Sequence, residues 1–560
     1  MLNRLSKYET IFFITLFVAL AALFFHLPSL GLYSNEEGAK FVQMKNFALH
    51  GSLSIPYPAQ QMGFTADDLT KEPGYFESKR GELRAITPPL FPFLTSLFYP
   101  LFGDRAVHLL PLAFFFLTAI MLKMALGLVM ERSVLQYLLL LAFLGSPVAL
   151  NIFGFSEVPA ALFLESLALY GIVRYVSLKQ APIILFGSSF SMGLTLFLCP
   201  AFLFMAAAWT IAGTSLLAAG KKSREAGLFA AGAAAAAVLW MVSEAMLYGA
   251  FPGPYLESLA PWLALSPIRV LIFLGAFVLS AALLCEAQKG SLPNFPMAGA
   301  WFVSLLLLSA VVLVTSARFS LIPFLLLFPT LLFAFWGLPA SFFDAIKKEK
   351  VLLGLILSAA ILLCLTQVAT VLKNESDYVR LFYLPVIPVA IVVMGIESRR
   401  IFAAPAVSGL LVFAVAVSIA GGYEWVKDPF MKYTDYNARR VAFLEQNSAK
   451  GDVVVFTGAP LMEHAGPLFF ERAYLVAPQE VDFERILQTL QEHNVSNLYL
   501  WSAGPALVAR WGNPYDKESY RTFPMASSCQ TSCNSNFYLF RVDVDAAIGR
   551  MSQKREEREP

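Results

Sequence analysis

The chain has 560 residues, of which 58% are hydrophobic and only 14% charged, against about 25% charged in an ordinary soluble domain. Mean hydropathy is +0.64, and 41 Lys and Arg against 39 Asp and Glu leave a formal net charge of +2. These values exclude a disordered chain, a disulfide-built miniprotein and a nucleic-acid binder, which needs a basic excess. They disfavour a water-soluble enzyme and place most of the chain in lipid.

A bilayer core of about 30 Å takes roughly 20 apolar residues in a helix. Apolar runs occur near 8–27, 106–130, 133–150, 157–176, 181–197, 200–219, 226–249, 267–286, 297–315, 319–338, 351–372, 381–396 and 402–421. The predicted architecture is therefore an α-helical polytopic membrane protein with about 13 transmembrane helices. The first run lacks the small-residue cleavage pattern of a signal peptide. Basic residues fall in alternate loops. Arg4 and Lys7, Arg132, Arg174 with Lys179, Lys221 with Lys222 and Arg224, Lys289, Lys347 with Lys348 and Lys350, and Arg399 with Arg400 all lie on one side. By the positive-inside rule that side is cytoplasmic, which puts the N-terminus inside and the C-terminus outside.

Two segments are too polar for lipid. Residues 28–87 form the first outside loop, counted with the transmembrane domain 1–422; residues 423–560 form a C-terminal extracytoplasmic tail. The tail reads as a small α/β domain. Asn437 to Gln446 is an amphipathic helix. Asp452 to Phe456, Arg472 to Val476, Asn497 to Trp501 and Phe537 to Val542 are strands, and Val481 to His493 is a helix between two of them. Such alternation predicts a partly parallel sheet. No glycine-rich phosphate loop opens a tail helix. Cys529 and Cys533 lie in an oxidising compartment by this topology, and their spacing permits a disulfide. Cys199, Cys285 and Cys364 lie in apolar runs and read as small core residues.

The unusual polar residues gather at the outer ends of the spans. Ser34-Asn35-Glu36-Glu37 follows the first span, Glu157 opens the fourth, Arg318 the tenth and Arg380 the twelfth. Each has an ordinary explanation: a solvated flank for Glu37, a helix-dipole partner for Glu157, a snorkelling cation for Arg318 and Arg380. Their occurrence at one membrane depth predicts an outward-facing cavity. A carboxylate there could take a proton from an acceptor hydroxyl, and a cation could hold a leaving phosphate. Glu165 and Glu244 lie inside apolar runs, where a charge is a functional candidate by default. No His–Cys metal pattern occurs. The cation site these residues leave open is an all-carboxylate one for a divalent ion, from Glu36, Glu37 and Glu157; the expectation is no metal and no other cofactor.

The stretch L-Y-S-N-E-E-G-A-K-F-V-Q-M-K-N-F-A-L-H-G-S-L, Leu32 to Leu53, resembles the acidic first-loop motif of the GT-C glycosyltransferases, in their bacterial protein-mannosyltransferase-like and aminoarabinose-transferase-like branch. Glu36 and Glu37 stand at that branch's Asp-Glu pair and Gly51 at its glycine. The run I-T-P-P-L-F-P-F-L-T-S-L-F-Y-P-L-F-G, from Ile86 to Gly103, resembles its Pro-Pro juxtamembrane helix. Glu157 in F-S-E-V-P-A-A-L-F falls at its second acidic position. Its late aromatic–proline pattern has two counterparts, R-F-S-L-I-P from Arg318 and R-L-F-Y-L-P from Arg380, the latter containing Tyr383.

The resemblance implies a GT-C fold in a bacterial inner membrane with a periplasmic tail. It implies a sugar donor linked to polyprenyl phosphate, and an envelope glycan, lipid or protein as acceptor. Glu36 would be the base, with Glu37 as the alternative and Glu157 as the further acid. Arg84, Arg318 and Arg380 would hold the donor phosphate, and Asn35, His108 and Tyr383 would line the substrate cavity. Glu36 replaces the family's Asp, Thr87 its Lys before the Pro-Pro, and His108 an Arg at the head of the second span. These departures argue against aminoarabinose transfer to lipid A itself. The competing readings are a transporter of lipid-linked substrates, for which no internal repeat is visible, and a non-catalytic scaffold of the same fold.

Overall fold

The computed structural model describes residues 7–24, 31–71, 75–130, 133–178, 181–198, 202–219, 222–249, 386–396, 405–425, 431–458, 462–502, 520–523 and 537–558. The predicted spans 267–286, 297–315, 319–338 and 351–372 lie outside them, as do all five cysteines, Arg318, Arg380 and Tyr383.

In chain order, α1 (Lys7–Phe24) is followed by α2 (Asn35–His50) and a hairpin of β1 (Phe76–Lys79) and β2 (Glu82–Ala85). Then come α3 (Leu90–Ser96), α4 (Tyr99–Phe102), α5 (Ala106–Val129), α6 (Ser133–Leu144), α7 (Val158–Leu178), α8 (Ile183–Gly193), α9 (Leu203–Ala219) and α10 (Ser223–Tyr248). After residues 250–385 the described chain resumes with α11 (Val386–Ile396), α12 (Pro405–Trp425) and α13 (Lys432–Asn447). The rest is β3 (Val453–Phe456), α14 (Met462–Ala465), β4 (Ala473–Val476), α15 (Glu480–Glu492), β5 (Asn497–Ser502), β6 (Tyr520–Phe523), β7 (Phe537–Asp543) and α16 (Val544–Arg558).

The protein is mostly helical and carries several apolar helices. Tyr99–Val129, Val158–Leu178 and Ser223–Tyr248 are long and apolar enough to cross a bilayer, and shorter apolar helices occur at Phe13–Ala22, Val134–Leu144, Ile183–Phe197, Ile387–Ile396 and Gly409–Gly421. The chain divides into two compact units: Met1–Ala19 with Pro111–Trp425, and Leu20–Leu110 with Val426–Pro560.

In the first unit α8 packs on α7 and α10, and α9 on α10. Small residues permit the close approach: a Cβ on Gly232 of α10 would overlap the Phe186 carbonyl of α8, and one on Gly193 would overlap Ala236. Lipid offers no hydrophobic drive for two apolar helices to meet, so tight backbone contact through small residues is what favours their association. Glu165 of α7 is fully buried, with the Trp209 indole of α9 near it but outside hydrogen-bond geometry. Glu244 of α10 is 6% exposed.

In the second unit the segment between α1 and α3 shares one hydrophobic core with the tail. The described residues of 31–85 pack on the tail as well as on α3 and α4. Ile55, Tyr57, Phe64, Leu69, Phe76 and Leu83 are buried in the same cluster as Val454, Phe469, Tyr474, Ile486, Leu500 and Phe540. Tyr57 OH donates to the Tyr474 carbonyl, Lys71 pairs with Asp482, and Arg485 pairs with Asp68. The hairpin turns on Arg80 and Gly81, both left-handed at φ 55° and 79°, which suits a two-residue turn matched to strand twist.

The tail sheet has the order β4-β3-β5-β7-β6, with β4, β3 and β5 parallel and β7 antiparallel to both β5 and β6. β3 and β4 are wholly buried V-V-V-F and A-Y-L-V runs, as expected for parallel strands covered on both faces. The amphipathic α15 turns Phe483, Ile486, Leu487 and Leu490 into the core.

Candidate active site

The acidic motif sits at the N-terminus of α2, and capping chemistry explains why the helix begins there. Ser34 is the N-cap at φ −142°, and its Oγ accepts the Glu37 N–H at 3.2 Å. The Glu37 carboxylate accepts the Tyr33 N–H at 2.9 Å. This is close to a reciprocal capping box, and such a cap is worth about 1 kcal/mol. At the other end Gly51 takes φ 63° and donates its N–H to the Phe47 carbonyl, a left-handed cap that a side chain would strain. Both acids lie in the first turn, where the helix dipole favours negative charge.

The two acids are held differently. Glu36 Oε1 is 2.7 Å from Lys40 Nζ, one turn on, and that lysine is 4% exposed. The pair fixes the Glu36 side chain along the helix. Glu37 instead uses one oxygen to close the N-terminal turn. Asn35 Oδ1 accepts the Met462 N–H of the tail at 2.5 Å.

A polar cluster in the tail stands behind α2, and sequence reading did not single it out. Asn437 Nδ2 donates to the Leu32 carbonyl at 2.7 Å, and its Oδ1 is 3.1 Å from His464 Nε2. Arg440 Nη1 also lies 3.1 Å from that nitrogen, and Arg440 Nη2 reaches Tyr436 OH at 2.5 Å with the guanidinium over the Tyr436 ring. Glu463 Oε1 is 3.9 Å from His464 Nε2. Asn437, Arg440, Glu463 and His464 are all at most 5% exposed.

Burial sets the charge states. It pushes the Glu463 carboxyl up to about 7, with its own backbone hydrogen bond and Arg440 pulling the other way. Burial and the neighbouring Arg440 charge together hold His464 well below its ordinary value, so the ring is neutral. A neutral Nε2 can accept from Arg440 or donate to Asn437 Oδ1, but not both at once. The cluster therefore has two hydrogen-bond arrangements. Burial pushes the neighbouring Tyr433, whose ring meets Tyr33 edge-on at 5.3 Å, up to about 12.

Glycines let the backbones meet. A Cβ on Gly38 would overlap the Met462 carbonyl and crowd the Glu463 amide, and a Cβ on Gly466 would come within 2.8 Å of the Gly38 carbonyl oxygen. Gly31 meets the Thr434 carbonyl in the same way. The chain N-terminal to the acids, and the first turn that carries them, both lie against α13 and α14.

The remaining sequence-predicted residues are placed as follows. Arg84, on β2, pairs with Glu82 at 2.8 Å. His108, in the first turn of α5, is 3% exposed. Glu157 precedes α7 in the first unit, is 3% exposed, and accepts the Ala161 N–H through its carbonyl. Asn35, Glu36 and Glu37 thus share one turn of the second unit, Arg84 and His108 belong to that unit, and Glu157 belongs to the other. Among the described residues no group of three or more His, Cys, Asp or Glu could hold a metal ion.

No family model matches the chain, and no curated protein matches it by sequence. Two solved structures are similar in outline, both of ArnT from Cupriavidus metallidurans. One, bound to undecaprenyl phosphate, has 14% identity, covers 94% of this chain and 97% of its own, and has a TM-score of 0.43. The other, in the apo state, has 13% identity, covers 96% of this chain and 99% of its own, and has a TM-score of 0.42.

Proposed function

We propose that this chain is a membrane glycosyltransferase of GT-C type that moves a sugar from a polyprenyl-phosphate donor to an envelope glycan, lipid or protein on the outer face of a bacterial inner membrane. The transmembrane domain is residues 1–422, the N-terminus is cytoplasmic and the tail 423–560 is periplasmic. The observation that carries this reading is the fixed pair of carboxylates, Glu36 and Glu37, in the first turn of a helix whose sequence resembles the family's acidic loop. The apolar helices of the first unit suit a polyprenyl chain.

In this mechanism Glu36 takes the proton from the acceptor hydroxyl as its oxygen bonds to the anomeric carbon. The bond from that carbon to the phosphate oxygen breaks, and polyprenyl phosphate leaves with the electron pair. Arg84, Arg318 and Arg380 are the proposed cations for the leaving phosphate, Glu157 the further acid, and Asn35, His108 and Tyr383 the cavity residues. General-base catalysis contributes about 10²- to 10⁴-fold. A Glu36→Gln variant is therefore expected to lose at least about 100-fold in release of polyprenyl phosphate, while Glu37→Gln, whose amide oxygen can still accept the Tyr33 N–H, loses less.

A second reading has one observation in its favour. Both carboxylates already have a structural use, Glu36 in the pair with Lys40 and Glu37 in the cap, as a non-catalytic scaffold would require. Turnover by the wild type with any polyprenyl-phosphate sugar and envelope acceptor rejects the scaffold; no turnover and no donor binding rejects the transferase.

A further inference from the structure

In the tail sheet, β4 follows β3 on one side, and the chain then crosses to place β5 on the other side of β3. The carboxyl ends of β3 and β5 therefore flank a topological switch point, the place where open α/β sheets take their ligands. At that edge Thr457 N–H donates to the Trp501 carbonyl and Thr457 Oγ1 lies 3.3 Å from Ser502 Oγ. The Trp501 ring lies 6.1 Å from His464. The next described element after β3 is α14, which carries Met462, Glu463 and His464. What is seated on α14 is the head of α2, with Gly38 against Met462 and Asn35 capping the Met462 amide, while Leu32 just before it is held by Asn437 of α13.

We infer that the tail uses its ligand-binding edge to hold the acidic motif, so that Asn437, Arg440 and His464 are positioning residues for Glu36 and Glu37. This rests on the proposed transferase reading for its catalytic consequence, though not for the tether itself. The contacts run to the backbone on both sides of the acids: Leu32 before them and Gly38 after them. A carboxylate that must meet an acceptor proton at hydrogen-bond distance depends on such fixing, because a misplacement of about 1 Å can cost a hundredfold in rate. Arg440 stacks on Tyr436 and reaches His464, which in turn meets Asn437, so a chain of buried contacts links α13 and α14 to the Leu32 carbonyl.

The test compares the full-length wild type with Asn437→Ala and, as a variant at a less buried position, Asn35→Ala. Amide exchange is followed in the peptide 32–42 and in strands β3 and β4, with kcat and KM for polyprenyl-phosphate sugar measured in parallel. The expected result is exchange about tenfold faster in 32–42 with the strands unchanged, and kcat down about tenfold or more at unchanged KM. Unchanged exchange in 32–42 in both variants overturns the tether, and faster exchange there with unchanged kcat in an active enzyme overturns the positioning role. If Asn437→Ala loosens the strands as well, Asn35→Ala decides through exchange in 32–42 alone, because Asn35 is also a proposed cavity residue. A wild type with neither turnover nor donor binding refutes the transferase reading and leaves the exchange data to decide whether the tail holds α2.

Discussion

Burial displaces the chemistry of Glu463 from that of a surface carboxylate. Its carboxyl is raised from 4.5 to about 7 by burial, so the folded protein keeps a proton that the unfolded chain releases. The sign follows from linkage: this group's contribution is fully present below about pH 4.5 and is lost as pH rises through about 7. His464 acts in the opposite sense, because its depressed value favours the folded state above its ordinary titration range and withdraws that support as pH falls. Glu463→Gln is therefore expected to be relatively more stable than wild type at pH 7 than at pH 4.5. The difference is at most about 3 kcal/mol at 1.36 kcal/mol per unit, read from unfolding midpoints across that range. Parallel pH profiles for the two proteins would contradict the assignment. The sequence offered a faint signal for this pair, a charged Glu-His step inside the apolar stretch P-L-M-E-H-A-G-P-L-F-F. That stretch is too short for periodicity to speak. Glu36 and Glu37 are legible because they follow a long apolar run; their different partners, Lys40 and Tyr33, emerge only in the folded cap.

At the scale of elements, the tail strands at 453–456, 473–476, 497–502 and 537–543 coincide with apolar runs bounded by turn residues, which is why they could be read. The hairpin of β1 and β2 could not: F-E-S-K and E-L-R-A are charged, and their pairing depends on a two-residue turn and a buried Leu83. The polar C-terminal helix α16 and the short β6 escaped for similar reasons. The contact between α2 and α14 is the element-level feature with the clearest consequence. Gly38→Ala must push the helix off the Met462 backbone, at a cost of about 1–3 kcal/mol typical of overpacking. The expected outcome is a lowered thermal midpoint, with the loss concentrated in protection of α2 and α14. An unchanged midpoint would show that the two segments separate freely.

At the scale of the whole molecule, composition alone indicated a membrane protein, and nine of the predicted apolar runs carry described helices. What composition could not show is that the segment between α1 and α3 and the tail, more than 300 residues apart in sequence, complete one core. A loop of this kind looks like a solvated connector when read alone, because its buried residues, such as Ile55, Tyr57 and Phe76, have partners only in a distant segment. Removing residues 426–560 is expected to expose that loop: limited proteolysis should cut within 51–89 in the truncated chain and spare it in the full-length protein. Equal protection in both would mean the loop folds without the tail.

The most direct test of the central claim is release of polyprenyl phosphate by the purified protein, supplied with polyprenyl-phosphate sugars and crude envelope acceptor, in wild type and Glu36→Gln side by side. The account predicts measurable turnover in the wild type and a loss of at least about 100-fold in the variant. Equal turnover in the two proteins would remove Glu36 as the base, and no turnover or donor binding by the wild type would contradict the transferase reading.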